Sequence, residues 1–202
     1  MLRQPDLPAL IAEQLAVDDF LVIPEAIDSA AVTALRTELL AWREHGRLQP
    51  AAVGRGTARQ LSSALRTDLT AWLTGETAIQ QQWLAVMAAL QQALNRRLLL
   101  GLSEYEAHYA CYPPGSFYKR HLDSFRGSNS RRVSTVLYLN EAWQADDGGL
   151  LQLYNCEHCI RRVVPEPGTL VIFLSDAVPH EVTDAKRERY SIAGWLRQRE
   201  ST

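Results

Sequence analysis

The sequence predicts an α+β fold, helical in its first half and closed into an antiparallel sandwich or jelly roll in its second. Three observations predict it. Apolar residues recur at helical spacing in two long stretches before residue 101; short β-type runs divided by Pro, Gly, Asp and Asn clusters follow residue 102; and strands and helices nowhere alternate. With 202 residues, 47% of them hydrophobic, the chain can bury one sizeable core. We therefore read 1–202 as a single domain, with 1–101 mainly helical support and 102–198 the jelly-roll core.

Taken in order, the first segment carries Asp6, Glu13, Asp18 and Asp19, which interrupt any apolar run and predict that it is not a secretion signal. Between Asp28 and His45, Val32, Leu35, Leu39, Leu40 and Trp42 fall at helical spacing, with Asp28 or Ser29 as the cap and Gly46 as the stop. A second amphipathic helix is predicted from Ala78 to Leu100. It places Trp83, Val86, Met87, Leu90, Leu94 and Leu98 on one side, and Gln81, Gln82, Gln91, Gln92, Arg96 and Arg97 on the other. Between the helices, Leu48 to Asp68 mixes Pro, Gly, Arg and Ser without a period and reads as an irregular loop; Gln49 to Leu65 is the candidate cover over a site. After Leu102 come YEAHYACY, RVSTVLYLN, GGLLQLYN, RRVVPEPGTLVIFLS and RYSIAGWLR, five runs of strand type.

Composition narrows the function. Lys+Arg 21 against Asp+Glu 23 leaves no basic excess for a phosphate backbone or an anionic lipid surface, so neither nucleic acid nor membrane is an expected partner. No apolar run approaches the ~20 residues of a spanning helix. Three cysteines cannot all pair within the chain, which fits a reducing, cytoplasmic compartment.

His121-Leu122-Asp123 places an imidazole and a carboxylate two residues apart, on one face of an extended segment, where both can meet one metal ion. Taken alone, the spacing equally fits a solvated turn. His180 follows the apolar run TLVIFLS and can complete a two-histidine, one-carboxylate set that leaves coordination positions open on iron(II); alone, it also fits a surface histidine. Arg189 opens the last run, and period two puts it on one face with Ser191, Ala193 and Trp195. Facing inward, its guanidinium needs an anion such as the far carboxylate of a dicarboxylate co-substrate; at a strand edge it needs none. Cys156-Glu157-His158-Cys159 lacks a second pair at zinc-ribbon spacing and reads as a hairpin tip. His45 and His108 read as structural, and Gly54, Gly56 and Gly75 form no phosphate loop.

ACYPPGSFYKRHLDSF, RRVSTVLYLNEAW, Gly148-Gly149, PEPGTLVIFLSDAVPHEV and RYSIAGWL together resemble the iron(II)- and 2-oxoglutarate-dependent dioxygenases of the prolyl 4-hydroxylase group. The likeness is greatest to the oxygen-sensing, hypoxia-inducible-factor type and its bacterial relatives. AVDDFL at Ala16–Leu21 and LRTDLTAWL at Leu65–Leu73 extend it, so it covers Asp18 to Arg197. The resemblance implies a double-stranded β-helix backed by the N-terminal helices. His121, Asp123 and His180 match the iron ligands, Arg189 matches the residue that pairs with 2-oxoglutarate, and Tyr138, Tyr112 and Tyr118 match co-substrate pocket positions. The loop from Tyr112 to His121 is one residue shorter than in the animal enzymes. Trp195, Arg131 or Arg132, Asp68 and Trp72 match the substrate side.

The implied cofactors are Fe(II), 2-oxoglutarate as co-substrate and O2, with ascorbate as a candidate reductant. The implied activity is 4-hydroxylation of a proline in a protein, elongation factor Tu being a candidate, coupled to conversion of 2-oxoglutarate to succinate and CO2. The alternatives are a hydroxylase of a free amino acid or small molecule, a non-catalytic jelly-roll binding module, and an interaction protein that uses the Arg55–Arg66 segment.

Overall fold

The computed structural model describes residues 1–53, 60–62, 64–124, 130–156 and 158–199. Its helices begin where capping chemistry directs. Helix α1 (Leu7–Gln14) carries Pro8 in its first turn and buries Leu7, Ile11 and Ala12. Helix α2 (Ser29–Glu44) is capped by Asp28, whose carboxylate accepts from the Ala31 amide at 2.7 Å, and it buries Val32, Leu35, Leu39 and Trp42. Helix α3 (Ala78–Leu98) is capped by Thr77 and stops two residues before the expected Leu100, because Leu99 turns left-handed at φ 53°. Its stripe also differs from expectation. Val86 and Leu98 are half-buried, whereas the polar Gln80 is wholly buried, its amide held by the Gly75 N–H and by Glu38.

The strands are β1 (Phe20–Ile23), β2 (Gln49–Pro50), β3 (Ala52–Val53), β4 (Gln60–Leu61), β5 (Leu69–Trp72), β6 (Leu102–Tyr112), β7 (Tyr118–His121), β8 (Arg131–Tyr138), β9 (Leu151–Asn155), β10 (His158–Val163), β11 (Leu170–Leu174), β12 (His180–Val182) and β13 (Arg189–Gln198). A seven-stranded sheet runs β1-β11-β8-β13-β6-β5-β2, and a four-stranded sheet runs β10-β9-β12-β7. The pairings within both are antiparallel, giving the expected double-stranded β-helix.

Alternation along the large sheet builds two cores. Tyr109, Cys111, Leu137, Ile172 and Ile192 face the helices, while Ala110, Tyr112, Tyr138, Val171 and Phe173 join Leu151, Leu153 and Val182 between the sheets. The site lies in this second, inter-sheet layer.

The division at residue 101 needs correction, because β1, β2 and β5 of the large sheet come from the part read as helical support. FLVI is a four-residue apolar run, too short to show a period, and its strand state is set by pairing with β11. The stretch read as irregular also contains β2, β3 and β4. Much of the proposed cover, 54–59 and 63, lies outside the described residues, as does Arg55 of the proposed interaction segment. No described helix is long and apolar enough to cross a membrane.

Candidate active site

β7 and β12 are neighbours in register, and the register sets His180 directly opposite His121. Strand pairing thus brings together two histidines far apart in sequence, and Asp123 follows two residues after the first. His121 Nε2 lies 3.5 Å from Asp123 Oδ1, and His180 Nε2 lies 3.6 Å from Asp123 Oδ2. One ligand atom from each of the three falls within 4.8 Å of the others, and this is the sole cluster of three or more metal-ligating side chains among the described residues.

Each imidazole is fixed by its other nitrogen. His121 Nδ1 donates to the Lys119 carbonyl at 2.8 Å and His180 Nδ1 to the Val178 carbonyl at 3.1 Å, which leaves both Nε2 atoms as the free lone pairs a metal requires. Tyr118 stacks on His121 at 3.6 Å between centroids, and Phe173 lies 4.6 Å from His180. Burial lowers the pKa of His180 to about 4, with His121 adding to the effect and Asp123 opposing it. For Asp123, burial acts to raise the pKa, but His180, His121 and the Ser134 hydrogen bond together hold it below the ordinary carboxylate range. Neutral pH therefore finds His180 neutral and Asp123 ionised, the ligand forms of both. At 6% exposure His180 is not a surface histidine.

Arg189, Ser191, Ala193 and Trp195 line one pocket with this triad, as strand alternation predicts. Arg189 is 1% exposed, which excludes the strand-edge reading. Its Nε donates to the Gly149 carbonyl at 2.8 Å and its Nη1 to Ser191 Oγ at 3.3 Å, but it forms no ion pair among the described residues. The guanidinium lies 4.9 Å from the Tyr112 ring centre and 5.0 Å from that of Tyr138. Burial raises the Tyr138 pKa to about 12 against the pull of Arg189, and its buried hydroxyl has no hydrogen-bond partner among the described residues. A buried cation without an anion, beside an unpartnered hydroxyl, is a site for a carboxylate. The residues present therefore fit both a divalent iron and the distal end of 2-oxoglutarate.

The other predicted residues divide. Tyr112, Tyr118, Trp195 and Arg131 line the pocket, with Arg131 lying 3.6 Å over the Trp195 ring and paired to Glu106 at 2.8 Å. Arg132 turns instead to Gln198 and Asp176. Simple alternation would have put Arg132 on the Ser134 face, but the β8–β13 register shifts between Leu196 and Arg197. Asp68 and Trp72 do not line the pocket. Asp68 is buried and grips Arg66, Nε to Oδ1 at 2.7 Å and Nη2 to Oδ2 at 2.5 Å, and it is Arg66 that reaches the pocket. Trp72 is 45% exposed and packs edge-on against His108.

Arg66, His108 and Ser134 are lining residues the sequence reading missed. Alternation could have found His108, which shares a face of β6 with Ala110 and Tyr112. Read as structural, it is instead a pocket wall whose buried Nδ1 has no partner among the described residues. Cys156 and Cys159 are exposed free thiols flanking the β9–β10 turn, outside any metal-ligating cluster among the described residues. His45 is exposed and bonds the Ala41 carbonyl through Nδ1.

A jelly roll holding two histidines and one carboxylate beside a buried arginine defines a class, the non-haem iron oxygenases. The 2OG-Fe(II) oxygenase superfamily matches residues 107–197. A prolyl-4-hydroxylase from Pseudomonas putida is 40% identical, with a TM-score of 0.87, over 96% of this chain and 100% of that one. A Trichoplax adhaerens prolyl hydroxylase, solved with a hypoxia inducible factor oxygen degradation domain peptide, is 28% identical with a TM-score of 0.84, over 95% of this chain and 89% of that one. The rat protein Egl nine homolog 1 is 31% identical over 144 residues, 66% of this chain but 42% of its own length. The chain thus spans less than half of the curated animal relatives it matches. It belongs to the 2-oxoglutarate- and iron(II)-dependent oxygenases, in their prolyl 4-hydroxylase group. Enzymes of this family use Fe(II), 2-oxoglutarate and O2.

Proposed function

We propose that this enzyme hydroxylates C4 of a proline in a protein or peptide. His121, Asp123 and His180 hold the iron; Arg189, aided by Tyr138 and the Tyr112 ring, holds the far carboxylate of 2-oxoglutarate. The observation that carries the iron and 2-oxoglutarate part of this reading is the buried Arg189, with no protein anion among the described residues, in the same pocket as the triad. The proline substrate is supported by the similarity to the Pseudomonas putida and Trichoplax adhaerens prolyl hydroxylases. Bound iron and 2-oxoglutarate supply the oxidising chemistry, in which O2 converts the co-substrate to succinate and CO2 and delivers one oxygen atom to a C–H bond of the substrate.

The side chains position and enclose; none needs to act as acid or base. Arg189 fixes one end of the co-substrate so that its other end meets the triad. Tyr118, stacked on His121, and Phe173, beside His180, keep both rings in place and the metal face dry. Trp195, with Arg131 over it, forms the wall against which the target ring rests, and Arg66, held by Asp68, forms another. Elongation factor Tu is the candidate protein target and trans-4-hydroxyproline the product, with ascorbate as a candidate reductant. A cytoplasmic setting belongs to the same reading and rests on three free thiols.

The test supplies iron, 2-oxoglutarate and ascorbate with elongation factor Tu, proline-containing peptides or free proline, and follows succinate together with the gain of one oxygen by mass. Oxygen on a protein or peptide proline, lost in His180→Ala, is the expected result. Oxidation of a free amino acid alone would overturn the protein target and leave the iron chemistry standing.

A further inference from the structure

A metal ligand is oriented by whatever holds its second polar atom. For the two histidines that atom is Nδ1, held by the carbonyls of Lys119 and Val178. Asp123 leaves the end of β7 on a bend with no strand partner of its own, so its carboxylate needs another fastening. Ser134 supplies one. Its Oγ donates to Asp123 Oδ2 at 2.7 Å and meets Ser175 Oγ at 2.9 Å.

Both serines are buried, Ser134 on β8 and Ser175 just beyond β11. A serine is a poor choice for a central strand, and burying its hydroxyl is unfavourable unless the group is bonded. One hydroxyl has one proton. The charge-assisted bond to the carboxylate claims that of Ser134, so the Ser175 hydroxyl must donate to Ser134, fixing the direction Ser175 to Ser134 to Asp123. Ser175 is itself anchored, its N–H to the Arg132 carbonyl at 3.0 Å and its carbonyl to the Ser124 N–H at 3.2 Å. The relay ties a carboxylate next to the small sheet to two neighbouring strands of the large one.

We propose that Ser134, with Ser175 behind it, is the positioning residue of the metal carboxylate: it occupies Oδ2 and leaves Oδ1, on the His121 side, to bind the metal. This deepens the metal reading of the triad and rests on it.

The test titrates Mn(II), in place of iron, into the metal-free 202-residue chain by calorimetry. Ser134→Ala raises the Mn(II) Kd about tenfold or more, while Ser134→Thr, which keeps the hydroxyl, stays within about threefold of wild type. Arg189 is untouched, so 2-oxoglutarate affinity at saturating Mn(II) changes by less than about twofold, which loosened packing of the whole pocket would not allow. Wild-type affinity in Ser134→Ala, or equal losses in the Ala and Thr variants, overturns the assignment. Should Ser134→Ala not fold, Ser175→Ala decides: weaker Mn(II) binding supports the relay and an unchanged Kd overturns it. Wild-type protein that binds no Mn(II) removes the metal reading itself, a different result from a variant that binds as well as wild type.

Discussion

His108 shows how one residue can carry opposing demands. Burial lowers its pKa from the ordinary 6.5 to about 3, with Arg66 and Arg131 adding to the effect and Asp123 opposing it. Its neutral ring still leaves Nδ1 buried and unpartnered among the described residues, a deficit of about 1–3 kcal/mol in stability. The unfolded chain binds a proton on this histidine below about 6.5 and the folded chain does not until about 3, so acid favours unfolding across that window. His180, lowered to about 4, acts in the same sense. The melting temperature of the metal-free protein therefore falls as pH drops from about 6.5 towards 4. His108→Leu melts higher at neutral pH and loses less in acid, where only His180 of this pair still titrates. Parallel melting curves for the two proteins across the window would refute this account of His108. Among single residues, His121, Asp123, His180 and Arg189 each fit a plain structural reading when taken alone, and the family resemblance is what singled them out in the sequence; the structure brings all four to one pocket. Arg66 was not, because its role depends on a buried Asp68 two positions away.

At the scale of elements, the site depends on the approach to β9. Gly149 adopts φ +59°, and a Cβ there would stand 2.8 Å from Arg189 Cδ and 3.3 Å from the Trp143 ring. Its carbonyl also receives Arg189 Nε. Gly149→Ala therefore displaces the guanidinium while leaving β7 and β12 alone, and the 2-oxoglutarate requirement rises about tenfold with Mn(II) affinity unchanged. A titration of each ligand checks the split, and equal losses for both would point to general unfolding of the pocket. Elements were legible where they are long or capped. The α2 and α3 patterns predict both helices closely, with Asp28 one of two candidate caps for α2, whereas the Thr77 cap of α3 is a finding of the structure. β1, β2 and β5 carry too few residues to show a period, and what makes them strands is the edge of a sheet built mostly from residues far along the chain. The choice between Arg131 and Arg132 turned on a register shift, which local sequence does not encode.

At the scale of the molecule, one sheet serves two purposes. Its outer face shares the domain's larger core with residues of the three helices; its inner face, with the four-stranded sheet, lines the site. The antiparallel closure sets His180 against His121 across β12 and β7 and brings β13, with Arg189 at its start, beside β8 with Ser134 and Tyr138. The family resemblance made this architecture expected, whereas the pairing that assembles the pocket is visible only once the strands are in register. The central claim is that the triad and Arg189 form one metal and co-substrate site. Its most direct test is binding of 2-oxoglutarate with and without Mn(II), in wild type, His180→Ala and Arg189→Ala. The account predicts metal-dependent binding in wild type, loss of Mn(II) binding in His180→Ala, and intact Mn(II) binding with 2-oxoglutarate affinity at least about tenfold weaker in Arg189→Ala. Wild-type 2-oxoglutarate affinity in Arg189→Ala, or binding in wild type that ignores the metal, would contradict it.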